Sequence, residues 1–413
     1  MRALRVSLGL TFIVGAIGCG SSKPAGTAGA AGSGATAGAS GAAGAAGSSA
    51  AATSGAAGKT GAAGAAGSGE TAGAGGAGAG GAGAGGARDA AAPPADAGAP
   101  EAGTLLASKY PGDQGIEADP AVIFHSDFES GFAGWSSHTQ DTTLIDVDTD
   151  ATTAHGGTKY LRASVSRTAL AKNPYISANA QFNFPRRVPL AYWRFYARFV
   201  GASATPHHWV RLGAGTPAYQ SDGLANTVPP GDQGFWFDLD AHDDGLLSFY
   251  VYWYKMRSGR CNDGTAIPGC AGDQGTTYYY GNNFSPAGQT PFPRDKWFCI
   301  EIMTKANTVG SSDGELALWV DDALVGDYKP GAPHGRWLRD NFYTWGPYYQ
   351  DMGPFEGFDF RSSADVLVKR ITLDAYYEMG SLDARIAAGL AAPETQTVLY
   401  DDVVVATSRI GCK

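Results

Sequence analysis

Short stretches in which apolar and polar residues alternate recur along the chain after residue 104. They are rich in aromatic and β-branched side chains and are separated by Gly, Pro, Asn and Asp. The clearest stretches cover residues 192–199, 235–240, 248–254, 297–303, 315–320 and 398–405. Alternation with a period of two indicates strands, and these residue types favour strands. The sequence therefore predicts an all-β domain.

Helical periodicity is weak in the same region. Only residues 381–391 are predicted as a short helix or an ordered loop. Many short strands separated by turns are typical of two sheets packed face to face. Because no second linker interrupts the region, we predict one domain over residues 104–413, a two-sheet antiparallel β-sandwich of the jelly-roll type.

The segment that precedes this domain has a different composition. Residues 20–103 are almost wholly Ala, Gly, Ser and Thr. Glycine loses the most entropy on ordering, and alanine and serine bury little apolar area in return. We therefore predict that this segment is a disordered tether.

The first residues have the pattern of a secretion signal. Arg2 and Arg5 precede an apolar run over residues 6–17, which is too short to span a membrane. Cys19 follows a small residue and is followed by Gly20. This arrangement resembles the lipobox of bacterial lipoproteins, which implies an exported protein anchored to the outer membrane or cell surface through a lipid on Cys19. The alternative is ordinary signal cleavage at residues 1–19, with Cys19 a chance residue.

Net charge limits the class of partner. The 413 residues carry a formal charge of −9 at pH 7, and the isoelectric point is about 5.2. This balance argues against a nucleic-acid partner, which requires a basic face. An acidic polysaccharide is not excluded, because a local basic cleft can lie on an acidic protein.

The remaining cysteines are Cys261, Cys270, Cys299 and Cys412. An even number in an exported chain predicts two disulfides, for which three pairings exist. Cys261 and Cys270 flank a short loop and are natural partners. A second bridge between Cys299 and Cys412 would then close the sheet. The spacing does not match a zinc-ligand pair.

Two of the predicted strands have sharply different faces. The apolar set, expected in the core, is Trp193, Phe195, Ala197, Phe199, Phe249, Val251 and Trp253. The opposite set is Tyr192, Arg194, Tyr196, Arg198, Tyr250, Tyr252 and Tyr254. Aromatic rings stack on sugars, while phenol and guanidinium groups bind hydroxyls and carboxylates. We therefore predict a sugar-binding groove, the alternative being a solvated face held by cross-strand pairs.

Residues 207–213 form a second local cluster of candidate residues. Successive side chains of a strand point to opposite faces. His208 should therefore face away from His207 and Arg211. A single histidine is more often structural than catalytic, whereas Arg211 beside aromatic residues is suited to binding an anion.

Asp238 and Asp240 share one face of their predicted strand. Such a pair can serve a hydrolase or bind a cation. We predict instead that the two are solvated edge residues. Glu301 and Lys305 likewise share a face of their strand.

Several motifs carry a resemblance to a known group of proteins. They are Asp-Phe-Glu-Ser-Gly at 127–131, Trp135, His-Gly-Gly-Thr-Lys-Tyr-Leu at 155–161, and the segments 297–307, 313–321 and 399–407. Together they resemble the concanavalin A-like lectin/glucanase group, with Asp322 where a hairpin glycine is usual. Within that group the chain is most similar to the alginate lyases of polysaccharide lyase family fourteen and their relatives.

That resemblance implies cleavage of an acidic glycan by β-elimination. Arg211, with Arg194, would neutralise the uronate carboxylate, and Tyr250 and Tyr252 would be the acid and base, with His208 as an alternative base. On the groove interpretation, the predicted substrate-binding residues are Tyr192, Arg194, Tyr196, Tyr254 and Lys305. The chain departs from the lyases at Asp238 and Asp240, where they usually have Ser and Arg, and these carboxylates would repel a uronate.

Relatives of this type often contain a calcium ion that joins the terminal strands. Asp127, Glu129 and Asp402 are the implied ligands of a structural calcium, and no cofactor is expected for the chemistry itself. Two other functions remain open on the sequence. One is a non-catalytic, lectin-like glycan-binding module, and the other is a structural or adhesive surface lipoprotein that uses its tyrosine-rich segments for protein contacts.

Overall fold

The computed structural model describes residues 105–219, 225–259, 279–345 and 352–413. Cys19, the predicted tether and the predicted Cys261–Cys270 bridge lie outside these ranges. The helices are α1 (Leu106–Lys109), α2 (Arg167–Lys172) and α3 (Met379–Ala387). None of the helices described here has the length and apolar composition needed to span a bilayer.

The described strands form two sheets. In chain order they are β1 (Val122–Ser126), β2 (Ser137–His138), β3 (Ile145–Thr149), β4 (Lys159–Ser166), β5 (Tyr175–Val188), β6 (Leu190–Phe199), β7 (His208–Gly215), β8 (Gly234–Ala241), β9 (Leu247–Tyr252), β10 (Asn282–Ser285), β11 (Phe298–Lys305), β12 (Glu315–Val320), β13 (Ala323–Tyr328), β14 (His334–Leu338), β15 (Asn341–Tyr343), β16 (Gly353–Pro354), β17 (Leu367–Glu378) and β18 (Thr395–Ala406). The predicted strands are confirmed as elements, although β9 ends at Tyr252 rather than at residue 254.

One sheet has eight strands in the order β13-β12-β11-β6-β18-β4-β3, with β1 also paired to β18. The other has ten strands in the order β16-β14-β15-β10-β9-β8-β7-β17-β5-β2. The β10–β15 pair is parallel, whereas the central pairs are antiparallel. The predicted two-sheet antiparallel β-sandwich is therefore confirmed.

The core lies between the two sheets and is strongly aromatic. Trp193, Phe195 and Phe199 of β6 are fully buried, as is Trp209 of β7. The Trp209 ring lies 5.7 Å from the Phe195 ring and 5.2 Å from the Phe199 ring, centroid to centroid. Burial of such large side chains supplies most of the stabilisation of a sandwich of this kind. The predicted core face of β6 is confirmed.

The outer face of the eight-stranded sheet is covered by the two ends of the domain. Arg194 of β6 is fully buried there and pairs with Asp113. Glu301 of β11 accepts hydrogen bonds from the backbone N–H groups of Ile410 and Gly411. The predicted Cys299–Cys412 disulfide is present and fixes the C-terminal segment to β11.

Candidate functional site

A continuous polar surface lies at the centre of the ten-stranded sheet, on the side opposite the core. We call it the polar face, and it comprises His208, Arg211, Trp236, Asp238, Asp240, Tyr250, Tyr252, Thr372, Asp374 and Tyr376. Its strands β17, β7, β8 and β9 are neighbours in the sheet. Alternation along β8, β9 and β17 sends the intervening apolar residues into the core and places these side chains on the opposite face, where most of them are buried.

Arg211, Asp238 and Tyr250 form one row across three strands. Arg211 pairs with Asp238 in the β7–β8 ladder, and Asp238 pairs with Tyr250 in the β8–β9 ladder. Side chains paired in this way have Cβ atoms about 5 Å apart. The Arg211 Nε donates to Asp238 Oδ1 at 2.6 Å. The guanidinium therefore offsets the charge of a carboxylate that is only 2 % exposed.

His208 lies on the polar face with Arg211, although strict alternation predicted opposite faces. The β7–β17 ladder shifts its register between Leu373 and Tyr376, and this irregularity breaks the period of two. As a result, the His208 Nδ1 lies 3.6 Å from Asp238 Oδ2 and 3.4 Å from Asp240 Oδ1. The predicted opposition of His208 and Arg211 was wrong for this reason.

The electrostatic surroundings of His208 favour its charged form. Burial opposes the charge, but the carboxylates of Asp240 and Asp238 outweigh burial and raise the pKa of His208 to about 9. Asp238 and Asp240 are themselves buried on a central strand. The prediction that they are solvated edge residues was therefore wrong, since they depend on His208 and Arg211 as charge partners.

Tyr250 and Tyr252 lie side by side on β9, as predicted. Their hydroxyl oxygens are 3.4 Å apart, and the Tyr250 ring stacks on the His208 ring with centroids 5.1 Å apart. Gly281 packs against the Tyr250 ring so closely that a Cβ there would lie 2.7 Å from it. Burial raises the pKa of both phenols above the ordinary value. Both therefore carry their protons at neutral pH and can donate them.

The sequence interpretation missed the contributions of β17 and of Trp236. Asp374 and Tyr376 join the polar face, and the Tyr376 ring stacks on His208 with centroids 5.8 Å apart. Burial raises the pKa of Asp374 to about 6. Residues 371–376 alternate apolar and polar side chains, so a period-two signal was present. The signal at Trp236 was hidden, because Phe235 and Phe237 flank it.

Four predicted substrate-binding residues lie on the other sheet. Tyr192, Arg194 and Tyr196 belong to β6, and Lys305 belongs to β11. Arg194 is committed to Asp113, and Lys305 pairs with Glu315 at 2.6 Å. The Tyr196 hydroxyl donates to the Lys413 carbonyl. The prediction that these residues share a groove with Tyr250 was therefore wrong.

Tyr254 also lies away from the polar face. It follows the end of β9, and its ring packs against Gly231. The period-two pattern predicted one continuous strand to residue 254, but the strand ends at Tyr252. Tyr254 therefore has no strand geometry that would align it with Tyr250.

The structure does not gather the three implied calcium ligands. Asp402 contacts His155 Nδ1 and Lys413 Nζ, each at 2.6 Å. Glu129 accepts from the backbone N–H of Lys159 at 2.7 Å. Asp127 lines a cavity of about 360 Å³ together with Asp402, but Glu129 is not among its lining residues. The structural calcium remains a prediction.

Comparisons with known proteins give similar structures but no family. No protein-family model and no curated protein matches the chain. The chain is similar to the endo-β-1,4-glucuronan lyase of the fungus Trichoderma reesei, with 13% identity over 70% of this chain and 96% of that one, at a TM-score of 0.40. It is also similar to the marine PL-14 alginate lyase from Aplysia kurodai, with 17% identity over 70% and 97% and a TM-score of 0.41. At these values the likeness does not assign an activity.

Proposed function

We propose that this protein is carbohydrate-active and that its polar face binds an acidic polysaccharide and cleaves it by β-elimination. The observation that carries the proposal is the row of Arg211, Asp238 and Tyr250, with His208 stacked on Tyr250. Two cationic side chains and a phenol therefore lie on three neighbouring strands of one face. A cation that holds the carboxylate and a phenol that exchanges protons are two of the requirements of β-elimination from a uronate.

The proposed reaction assigns a task to each group. Arg211 and His208 orient the uronate carboxylate and stabilise the negative charge that develops when C5 loses its proton. The C5–H and C4–O bonds break, and a C4–C5 double bond forms. One of the neighbouring phenols of Tyr250 and Tyr252 must first lose its proton, so that its phenolate can take the C5 proton, and the other phenol donates its proton to the departing oxygen. Arg194 has no part in this scheme, because it lies on the opposite sheet.

A non-catalytic glycan-binding role is the second candidate, and one observation favours it. The phenols of Tyr250 and Tyr252 hold their protons tightly, and His208 is an imidazolium at neutral pH. A face with donors but no free base binds sugar hydroxyls and carboxylates without removing a proton.

The location of the activity is proposed on the sequence alone. Residues 1–19 would direct export, Cys19 would carry the lipid, and residues 20–103 would hold the domain away from the membrane surface. Mass spectrometry of the N-terminal peptide from a bacterial host tests this. An unmodified Cys19 would remove the anchor from the proposal and leave the polar face unaffected.

The deciding experiment mixes the purified protein with a panel of uronate-containing polysaccharides and follows the ultraviolet absorbance of the unsaturated uronate product. The matched variants are Arg211→Ala on the polar face and Lys305→Ala on the other sheet. Product formation that Arg211→Ala abolishes and Lys305→Ala preserves supports the lyase. Binding without product, and without new reducing ends, moves the assignment to the glycan-binding module. If the protein neither binds nor cleaves any polysaccharide of the panel, the lyase and the glycan-binding module are both contradicted.

A further inference from the structure

One cluster on the polar face contains three potential metal ligands, His208, Asp238 and Asp240. The His208 Nδ1 and one oxygen of each carboxylate all lie within 4.8 Å of one another. Within the ranges that the structure describes, this is the only such group of three or more potential metal ligands. The residues come from the adjacent strands β7 and β8 at the centre of the sheet, which are joined by one antiparallel ladder.

The separations within the cluster do not suit direct hydrogen bonds. The His208 Nδ1 lies 3.4 Å from Asp240 Oδ1 and 3.6 Å from Asp238 Oδ2, whereas hydrogen bonds of this kind are about 2.7–3.2 Å long. Nδ1 is shielded from solvent and has no hydrogen-bond partner. Ligands about 2.0–2.1 Å from a tetrahedral zinc ion lie about 3.4 Å from each other. The two separations between His208 and the carboxylates are close to that value.

The charges of the cluster also favour a bound cation. Two buried carboxylates lie beside Arg211 and His208, and their negative charges work against the binding of a uronate carboxylate. A divalent ion held by both carboxylates would offset their two negative charges. Two further contacts position the carboxylates. Arg211 Nε donates to Asp238, and the backbone N–H of Trp209 donates to Asp240. Contacts of this type orient metal ligands in proteins.

We infer that His208, Asp238 and Asp240 bind a divalent transition-metal ion with a preference for zinc. One imidazole nitrogen and two carboxylate oxygens suit zinc better than calcium, which takes six to eight oxygen ligands. The ion would hold the uronate carboxylate, and this second part rests on the proposed function. An imidazolium that bridges two carboxylates without any metal is the competing description.

The test titrates zinc into the chelator-treated full-length protein by calorimetry, with calcium as the second probe. The variants are His208→Gln and Asp240→Asn, and the matched control is His155→Gln, which removes a histidine that contacts Asp402 at 2.6 Å. We expect one zinc per chain, weaker binding by at least about tenfold in the two cluster variants, and no change in the control. Circular dichroism checks that each variant is folded, and Asp240→Ser replaces Asp240→Asn if the latter is not.

Absence of stoichiometric zinc binding, or equal binding by the cluster variants, would overturn the inference. The polysaccharide assay is then repeated with and without zinc. Cleavage that is indifferent to zinc leaves the proposed function standing and removes the role of the ion in holding the uronate. Zinc binding by a protein that takes up no uronan leaves the metal site standing and removes the proposed function.

Discussion

Arg211 and Asp238 face each other on neighbouring strands, with the guanidinium Nε 2.6 Å from the carboxylate Oδ1. Asp238 is almost wholly buried on a central strand, where an unpaired carboxylate would be costly. The pair therefore serves two ends. It makes a buried charge tolerable in the sheet, and it holds a guanidinium in the same cross-strand row as Tyr250 of β9.

Replacing Asp238 by Asn should destabilise the domain. The variant leaves Arg211 without its nearest carboxylate in a largely buried position, and breaking such a pair costs about 3 kcal/mol. Urea unfolding of the variant and the wild type measures the difference. The control is Lys305→Gln, which breaks an exposed pair with Glu315 and should cost less than about 1 kcal/mol. Equal losses in the two variants would contradict the importance of the buried pair.

Replacing Tyr250 by Phe should abolish cleavage without unfolding the protein. The ring and its stacking on His208 remain, while the hydroxyl that exchanges the proton is lost, so turnover should fall about a hundredfold or more. The control is Tyr160→Phe on β4 of the other sheet. Product absorbance and polysaccharide binding are measured on both variants. Unchanged turnover in Tyr250→Phe would exclude this phenol as the proton-transfer group.

The sequence predicts faces well and the placement of strands poorly. Alternation on β6 correctly separated Trp193 and Phe195 from Tyr192 and Arg194, because period two is a local property of the backbone. It did not reveal that β6 and β9 belong to different sheets, since that depends on strand order over the whole domain. Arg194 and Tyr250 were therefore grouped in one groove although the core separates them.

Several residues of the candidate site were predicted from the sequence, but their arrangement in space was not. Tyr250, Tyr252 and Arg211 were identified by residue type and order. The position of His208 depends on a register shift between β7 and β17, which leaves no mark in the local pattern. The burial of Asp238 and Asp240 depends on their cationic partners. Because the sequence does not show these partners, the polarity of the two residues alone predicted exposure to solvent.

Removing the Cys299–Cys412 bridge should lower stability by up to about 4 kcal/mol, because a cross-link over a long loop restricts the unfolded chain. The two cysteines are 113 residues apart in sequence. Thermal unfolding of the double variant Cys299→Ser, Cys412→Ser measures the loss. Each single variant should match the double variant, since one cysteine cannot form the bridge. A double variant as stable as the wild type would show that the C-terminal segment is held by its hydrogen bonds to Glu301.

Asp374 should make the stability of the domain depend on pH. Burial, with a smaller contribution from Asp238, raises its pKa from 3.8 to about 6 against the opposing effects of Arg211, His208 and Ser177. The folded state therefore binds the proton more tightly than the unfolded chain. The stabilisation is complete below pH 3.8 and is lost as the pH rises through about 6.

The variant Asp374→Asn isolates the contribution of Asp374 ionisation to the pH dependence of stability. It cannot ionise, and its carbonyl oxygen can still accept the hydrogen bond that Ser177 donates to Asp374 at 2.7 Å. Relative to the wild type, the variant should gain up to roughly 3 kcal/mol in free energy of unfolding between about pH 4 and pH 8. The control is Asp141→Asn, which should change the free energy of unfolding in the opposite direction. Hydrogen bonds from Thr143 lower the pKa of that exposed carboxyl, so its ionised form stabilises the folded state. Urea unfolding at the two pH values measures both variants, and a constant difference between Asp374→Asn and the wild type would mean that Asp374 is ionised throughout.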